Sequence, residues 1–243
     1  MRAHRVRALL MGGQACVLYG AAEFSRDTDL AILADPANLA RFGAAMTDLQ
    51  AAVIAVPPFH LDYLLRGHAV HFRCRHPEAR GMRIDVMARM RGVETFPRLW
   101  ARRTSMTLPH GLRCDLLALP DLVLAKKTQR DKDWPMIRRL VEAHYFQHRE
   151  RPRGTHVTFW LRELRTTELL LDVARRHPAI CRRMTATRPL LAHATTGRAD
   201  LLERAIGREE AGERARDHRY WRPLRRELER LRHGRAMRDT SPP

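Results

Sequence analysis

The fold is decided by residues 12–33, which read GGQACVLYGAAEFSRDTDLAIL. Within this stretch, Asp27 and Asp29 are separated by one residue at the start of an apolar run that predicts a β-strand. Alternate residues of a strand point to the same face, so the two carboxylates are expected to lie close enough to share a divalent cation. Such a cation would offset the cost of placing acids beside an apolar strand.

A glycine pair precedes these acids. Gly12 and Gly13 follow a short predicted strand at residues 5–11 and precede a predicted helix at residues 14–19. Glycine has no β-carbon, so the chain can turn sharply there and approach a ligand closely. The N–H groups at the start of a helix favour an anion such as a triphosphate. Taken alone, each motif has a simpler interpretation: a plain turn for the glycine pair, and a solvated loop for the Asp-x-Asp sequence.

A later strand offers a third acid. Residues 82–88 predict a strand, and within it Asp85 is the one acid in the otherwise apolar run 84–87. A buried acid needs a partner. Asp85 is therefore the preferred third metal ligand, ahead of Asp62 and Asp115. A salt bridge to an arginine at the sheet edge is the alternative role for this acid, with two candidates, Arg83 and Arg73.

The run GGQA, then YG, then FSRDTDL resembles the signature of the polymerase-β-like nucleotidyltransferase superfamily. In that signature a glycine pair is followed by a helix and then by an acidic pair on the next strand. More narrowly, the stretch is similar to small bacterial nucleotidyltransferases related to AbiEii-type toxins and to uncharacterised nucleotidyltransferase-like proteins. It departs from them at Glu23, where members often carry a basic residue. The resemblance also implies a third acid on a later strand, and Asp85 matches that position.

The resemblance implies a Mg²⁺-dependent enzyme that transfers a nucleoside monophosphate from an NTP to an acceptor. Asp27, Asp29 and Asp85 are then the predicted catalytic and metal-binding residues, and they would hold two Mg²⁺ ions. The predicted nucleotide-binding groups are the glycine pair, a serine and three cations: Gly12, Gly13, Ser25, Lys126, Lys127 and Arg130.

The three cations lie in one basic segment. Residues 119–121 have the composition of a helix start, with proline in the first turn. The helix is predicted to carry Lys126 and Arg130 on one face, with Lys127 about 100° around from Lys126. In the resembling toxins a lysine and an arginine follow the acidic strands, so these side chains are expected to support the triphosphate and the leaving pyrophosphate. A solvated helical face is the alternative interpretation.

The order of predicted elements indicates an α+β fold. We expect a small mixed-sheet nucleotidyltransferase domain with flanking helices at residues 1–118, a helical, basic domain at 119–235 and a disordered tail at 236–243. Three C-terminal helices are predicted, at residues 159–173, 200–215 and 220–232.

The composition points to a polyanionic partner. The chain of 243 residues has a formal net charge of +18, of which residues 151–243, with 22 arginines and 12 acids, carry +10. Such a charge favours association with nucleic acid, so RNA is the expected partner of the C-terminal helices. Because only three of the 45 basic residues are lysines, a compositional bias toward arginine is the alternative explanation.

Cysteine and histidine spacing gives no metal motif. The four cysteines form no Cys-x-x-Cys pair, which is consistent with reduced thiols in the cytoplasm. His144 and His148 are four residues apart, but the third ligand and the glutamate of a zinc helix are absent from the motif, so a surface pair is expected. No apolar run reaches about 18 residues, so we expect no membrane span and a cytoplasmic protein.

Three functions remain open at this stage. The first is transfer of a nucleotide to RNA, such as a tRNA 3′ end, or to a protein, in a toxin that pairs with an antitoxin. The second is a nucleic-acid-binding or regulatory protein on a catalytically silent nucleotidyltransferase fold. The third is nucleotidylation of a small molecule such as an antibiotic, which the positive charge disfavours because a cationic drug needs an acidic pocket.

Overall fold

The computed structural model describes residues 1–239, and in this part of the chain the fold is α+β. Seven strands form one mixed sheet. Their bounds are β1 Ala8–Met11, β2 Asp27–Ile32, β3 Ala52–Val53, β4 Val70–Arg73, β5 Arg83–Met87, β6 Thr104–Thr107 and β7 Arg113–Leu116. The order across the sheet is β3-β4-β5-β2-β1-β7-β6.

Eleven α-helices accompany the sheet within residues 1–239. Their bounds are α1 Gly12–Leu18, α2 Pro36–Asp48, α3 Leu61–Arg66, α4 Phe96–Ala101, α5 Leu119–Lys126, α6 Asp133–His148, α7 Gly154–Glu163, α8 Thr167–Arg176, α9 Pro178–Met184, α10 Leu191–Thr195 and α11 Ala199–Asp239. None of them combines the length and the apolar character that a membrane-crossing helix needs. The mixed sheet and the helical C-terminal region predicted from the sequence are both confirmed.

Strand β2 lies at the centre of the sheet. It pairs antiparallel with β1 and parallel with β5. Its second half is fully apolar and buried, from Leu30 to Ile32, whereas its first half carries Asp27 and Asp29. The buried half therefore anchors β2 in the sheet, and the two acids lie at one end of the sheet.

Helix α2 shows how local sequence fixes an element on the sheet. Asp35 is its N-cap, and the side chain accepts a hydrogen bond from the backbone N–H of Asn38 at 2.7 Å. The buried amide of Asn38 donates in turn to the backbone carbonyls of Arg7 and Leu33 at 3.1 and 2.8 Å. Asp35 and Pro36 therefore begin this helix, and Asn38 ties it to the chain just before β1 and just after β2.

The chain forms two compact units. The first contains Met1–Leu18, Ala22–Ala125 and Arg219–Pro243, and the second contains Tyr19–Ala21 and Lys126–His218. The sequence-based boundaries instead assigned all of 119–235 to one helical domain. Helix α5 and the chain from Arg219 onward group with the sheet because of specific contacts. Buried Asp121 in α5 accepts two hydrogen bonds from Arg102, both at 2.7 Å.

The last part of α11 is held by a buried histidine. Glu227 accepts a hydrogen bond from Nε2 of His68 at 2.7 Å, and His68 is fully buried. The same carboxylate forms an ion pair with Arg66. These contacts lie within the first unit and explain why the C-terminal end of α11 belongs to it.

Helix α11 differs from its prediction. Two helices were predicted, at 200–215 and 220–232, but one continuous helix runs from Ala199 to Asp239 and includes Pro223. The residues between the predicted helices are charged and contain no glycine, so nothing in them ends a helix. The first four residues of the tail predicted at 236–243 lie in this helix, and residues 240–243 lie outside the described residues.

A second correction concerns the single helix predicted at 159–173. The chain instead forms α7 and α8, with a break after Glu163. The guanidinium of Arg188 donates to the backbone carbonyls of Leu161 and Leu164 at 2.8 and 3.0 Å. These are carbonyls at the C-terminal end of α7 that the helix itself leaves unsatisfied. A long-range contact therefore ends this helix.

The connection between α5 and α6 is built around Asp133. Its carboxylate is almost fully buried and contacts Lys126 at 3.3 Å and Arg130 at 2.8 Å. Burial acts to raise the pKa of Asp133, but the charges of Lys126 and Arg130 and a hydrogen bond from Thr128 outweigh it, so the pKa is lowered. The helix face predicted to run through Arg130 is wrong, because α5 ends at Lys126 and the chain then turns around this carboxylate.

We predict that Asp133→Asn lowers the free energy of unfolding by about 2–4 kcal/mol, because it leaves two cations beside a buried neutral amide. The measurement is chemical denaturation at pH 7. Asp131→Asn is the matched control, since the Asp131 side chain is 97% exposed although it pairs with Arg214. We expect a change below about 0.5 kcal/mol for this control. Equal losses in both variants would contradict the organising role of Asp133.

Candidate active site

Three acids lie on one face of the sheet. Asp29 of β2 is directly opposite Asp85 of β5, and Asp27 is opposite Arg83. Residues in register on neighbouring strands point to the same face, as do residues two apart on one strand. Asp27, Asp29, Asp85 and Arg83 therefore share one face at the end of the β2–β5 pair where β2 begins.

The other two candidate acids lie elsewhere. Asp62 is in α3, outside the sheet. Asp115 is in β7, which pairs with β1 and β6, and there it contacts Arg103 at 3.2 Å. Of the three acids considered for the third position, Asp85 is the one on a strand adjacent to β2.

The glycine pair packs directly against this face. Gly12 has a φ of +67°, and a β-carbon added to it would lie 1.8 Å from Oδ2 of Asp29. A β-carbon on Gly13 would lie 2.3 Å from Oγ of Ser25. Both positions therefore need glycine for a steric reason, and Gly12 also needs it for its left-handed backbone. The close approach predicted from the sequence is present, although the groups approached are Asp29 and Ser25.

Ser25 lies in the loop before β2. Its hydroxyl donates to the backbone carbonyl of Asp27 at 3.3 Å. The contact with Gly13 places this hydroxyl beside the turn that leads into α1. Helix α1 starts at Gly12 itself and has only seven residues. A serine hydroxyl, the glycine turn and the first acid of β2 are thus neighbours.

Asp85 is held by two side chains. Its carboxylate accepts two hydrogen bonds from Arg83, from Nε at 2.7 Å and from Nη2 at 2.9 Å. Nδ1 of His71, on the neighbouring strand β4, lies 2.8 Å from Oδ1. The salt bridge to Arg83, one of the two alternatives open from the sequence, is therefore present in the structure.

The electrostatics of this face centre on Arg83. Burial acts to raise the pKa of Asp85, but the hydrogen bonds from His71 and Arg83 more than offset it, so the pKa is lowered. The pKa of Arg83 is raised, first by its hydrogen bond to Asp85 and also by the charges of Asp27 and Asp29. The guanidinium thus supplies positive charge to all three acids.

The acids do not form a tight three-ligand group as they stand. Among the described side chains, the one group of three acids, histidines or cysteines whose ligand atoms all lie within 4.8 Å of one another is His144, His148 and His156. In this structure Arg83 binds both carboxylate oxygens of Asp85.

The three predicted nucleotide-binding cations all contact acids of the second unit. Nζ of Lys126 and Nε of Arg130 both reach Asp133, as described above. Nζ of Lys127 lies 2.7 Å from the carboxylate of Glu163 in α7, which is buried. Each cation thus has an anionic partner inside its own unit.

At this face the sequence identified Arg83 as a candidate partner of Asp85, but it gave no indication of His71. The signal for Arg83 was present, since a residue two before an acid on a strand shares its face. His71 depends on the antiparallel register of β4 and β5, in which it lies opposite Asp85. The pairing of these two strands cannot be predicted from a local sequence pattern.

Comparison with other proteins identifies no relative: no protein-family model and no curated protein matches the chain.

The glycine turn gives a direct test of this packing. We predict that Gly12→Ala lowers the free energy of unfolding by about 3 kcal/mol or more, because it adds a clash with Asp29 to the cost of a left-handed alanine. Gly81→Ala is the matched control, since Gly81 has a φ of +80° and no heavy atom within 4 Å of the added β-carbon. Its expected loss is about 1–2 kcal/mol.

Urea denaturation of the two variants measures the difference. Both variants lose free energy of unfolding because alanine is unfavourable at a positive φ. The additional loss in Gly12→Ala therefore measures the clash with Asp29. Equal losses would mean that the Asp29 side chain moves away freely, and they would contradict a fixed glycine and carboxylate pair.

Proposed function

We propose that the chain is a Mg²⁺-dependent nucleotidyltransferase of the polymerase-β-like superfamily, which transfers a nucleoside monophosphate from an NTP to an acceptor. The observation that carries the proposal is the position of Asp27, Asp29 and Asp85 on one face of two adjacent parallel strands, beside the Gly12–Gly13 turn. The resemblance of residues 12–33 to the superfamily signature supports it independently.

The acids have the chemistry that Mg²⁺ requires. Carboxylate oxygens are its usual protein ligands, and Asp27 and Asp29 on one strand face would bind the ions with Asp85 as the third ligand. When bound, two ions activate an acceptor hydroxyl and neutralise the leaving pyrophosphate. The acceptor oxygen bonds to the α-phosphorus, the bond from that phosphorus to the bridging oxygen breaks, pyrophosphate leaves and the hydroxyl proton passes to solvent.

Arg83 sets a condition on this chemistry. Asp85 would have to exchange its two hydrogen bonds with Arg83 for a metal ion. A bound triphosphate offers the guanidinium another bidentate anionic partner, so the exchange leaves neither group unpaired. The glycine turn and the Ser25 hydroxyl are the proposed neighbours of the phosphates. Lys126, Lys127 and Arg130 are proposed as electrostatic support that acts through their positive charge while they keep their acid partners.

For the acceptor we propose RNA, such as a tRNA 3′ end, or a protein, and for the physiological setting a toxin that pairs with an antitoxin. The net charge of +18 supports an RNA acceptor because it favours association with polyanions. The resemblance to toxin-related nucleotidyltransferases supports the toxin setting.

The Arg83–Asp85 pair favours a second candidate, a nucleic-acid-binding or regulatory protein on a silent nucleotidyltransferase fold. A guanidinium that already satisfies Asp85 and faces Asp27 and Asp29 supplies the positive charge that a metal ion would otherwise bring. In such a protein Arg83 would be a permanent structural replacement for the cation.

The test is incubation of the purified chain with each of the four α-³²P-labelled NTPs, Mg²⁺ and either total RNA or cell lysate. We expect label on an RNA or protein band with one of the nucleotides. Asp29→Asn and Asp85→Asn should each reduce transfer by about 10³-fold or more, because both acids bind the ions that stabilise developing charge. Asp62→Asn is the control, since that side chain is 68% exposed and outside the sheet, and it should retain wild-type activity.

Mg²⁺-dependent NTP binding separates the two candidates. For the enzyme, nucleotide binding depends on Mg²⁺ and is lost in Asp29→Asn. For the silent protein, RNA affinity persists without metal-linked nucleotide uptake. An Asp27→Ala variant that folds and keeps full transfer activity would contradict the metal-site assignment.

A further inference from the structure

The second unit contains a cluster of three histidines outside the carboxylate face. His144 and His148 lie one turn apart at the end of α6, and His156 lies in the first turn of α7. Their ring centroids are 4.5 Å apart for His144–His148, 5.0 Å for His144–His156 and 4.5 Å for His148–His156. The expectation of an isolated surface pair is therefore wrong, because the short connection between the helices brings a third imidazole to the pair.

We propose that His144, His148 and His156 form a binding site for a transition-metal ion of the Zn²⁺ class. One nitrogen from each ring lies within 4.8 Å of the other two. Three nitrogens bound to one tetrahedral Zn²⁺ are about 3.3 Å apart, so a modest rotation of the three rings completes the site. Imidazole favours Zn²⁺, Co²⁺, Ni²⁺ and Cu²⁺, whereas Mg²⁺ prefers oxygen, so this site is chemically distinct from the carboxylate face.

The surroundings of the cluster favour neutral rings, which metal binding requires. The rings are half-buried, and Phe159 packs edge-on against His144 with the ring centroids 5.2 Å apart. Burial, and after it the neighbouring histidines, lowers the pKa of His144 to about 4. Burial also lowers the pKa of His156, followed by the charges of His148 and Arg153. At neutral pH a metal ion therefore displaces few protons from these two rings.

The hydrogen bonds of the cluster define what the metal must replace. Nδ1 of His144 accepts a hydrogen bond from Nε1 of Trp160 at 2.9 Å, and Nδ1 of His156 accepts a longer one from the backbone N–H of Arg153 at 3.4 Å. A neutral imidazole has one acceptor nitrogen, so a metal on His144 and the indole bond to His144 exclude one another. Trp160 therefore competes with the metal for His144, and the backbone N–H of Arg153 competes more weakly for His156.

The site would join two helices. The ligands belong to the last turn of α6 and the first turn of α7, which are separated only by residues 149–153. A shared ion would fix the angle between these helices and would stabilise the second unit by mass action. Three protein ligands leave a fourth tetrahedral position for water or another small ligand.

The experiment is isothermal titration of Zn²⁺ into the full chain after treatment with a chelator. We expect one equivalent to bind with a Kd of about 10 μM or tighter. His156→Ala should weaken binding by about 100-fold or more, because it removes a direct ligand. His218→Ala is the matched control, since His218 is an exposed histidine of the same unit, and it should bind Zn²⁺ as the wild type does.

Three further measurements keep the proposal testable if His156→Ala does not fold. His148→Ala, which removes the ring at the end of α6, should lose affinity to a similar extent. Trp160→Phe removes the competing donor and should bind Zn²⁺ about 3–10-fold more tightly than the wild type. Co²⁺ bound in place of Zn²⁺ should give visible absorption typical of tetrahedral nitrogen ligands, without a thiolate charge-transfer band.

The proposal is overturned by any of three results. The first is unchanged affinity in folded His156→Ala or His148→Ala. The second is an equal loss in His218→Ala, which would indicate nonspecific binding by the chain's 13 histidines. The third is a thiolate band with Co²⁺, which would place the metal on cysteine.

Discussion

No β-carbon fits between the turn at Gly12 and the carboxylate of Asp29, and the rest of the acidic face depends on this constraint. Gly12 ends β1 and opens α1, while Asp29 lies opposite Met11 in the antiparallel β1–β2 pair. The tight turn therefore fixes where Asp29 lies relative to the backbone that follows β1. Because β2 is parallel to β5, the same strand then fixes Asp85 opposite Asp29. One steric contact and one strand register together position the acids.

Charge balance on this face is the second determinant. Three acids placed together on adjacent strands repel one another unless a cation lies among them. Arg83 provides that cation in the structure from a position two residues before Asp85 on β5, and His71 on β4 also contacts Asp85. A metal ion of the kind we propose would have to compete with Arg83 for the carboxylate of Asp85.

Much of the sheet was predictable because its strands have short apolar runs bounded by turn residues. The pattern around Asp27 and Asp29 and the run around Asp85 predicted both strands, whereas their parallel pairing is seen only in the structure. What local patterns could not supply were contacts between distant residues. The break between α7 and α8 depends on Arg188, more than twenty residues after the carbonyls it satisfies. His156 joins the histidine pair only because α6 and α7 are connected by a short loop.

The positions of individual arginine side chains show which arginines serve packing and which are exposed. Arg165 and Arg188 are buried and share Glu209, at 2.7 and 2.9 Å, so these charges serve the packing of the second unit. An arginine held in this way is a poor phosphate ligand, because moving it to a phosphate would leave its acid partner without this compensating positive charge. The arginines free to meet a polyanion are the exposed ones, such as Arg222, Arg225 and Arg226 on α11. The net charge of +18 therefore overstates the positive surface that a polyanion could contact, because only the exposed arginines contribute to that surface.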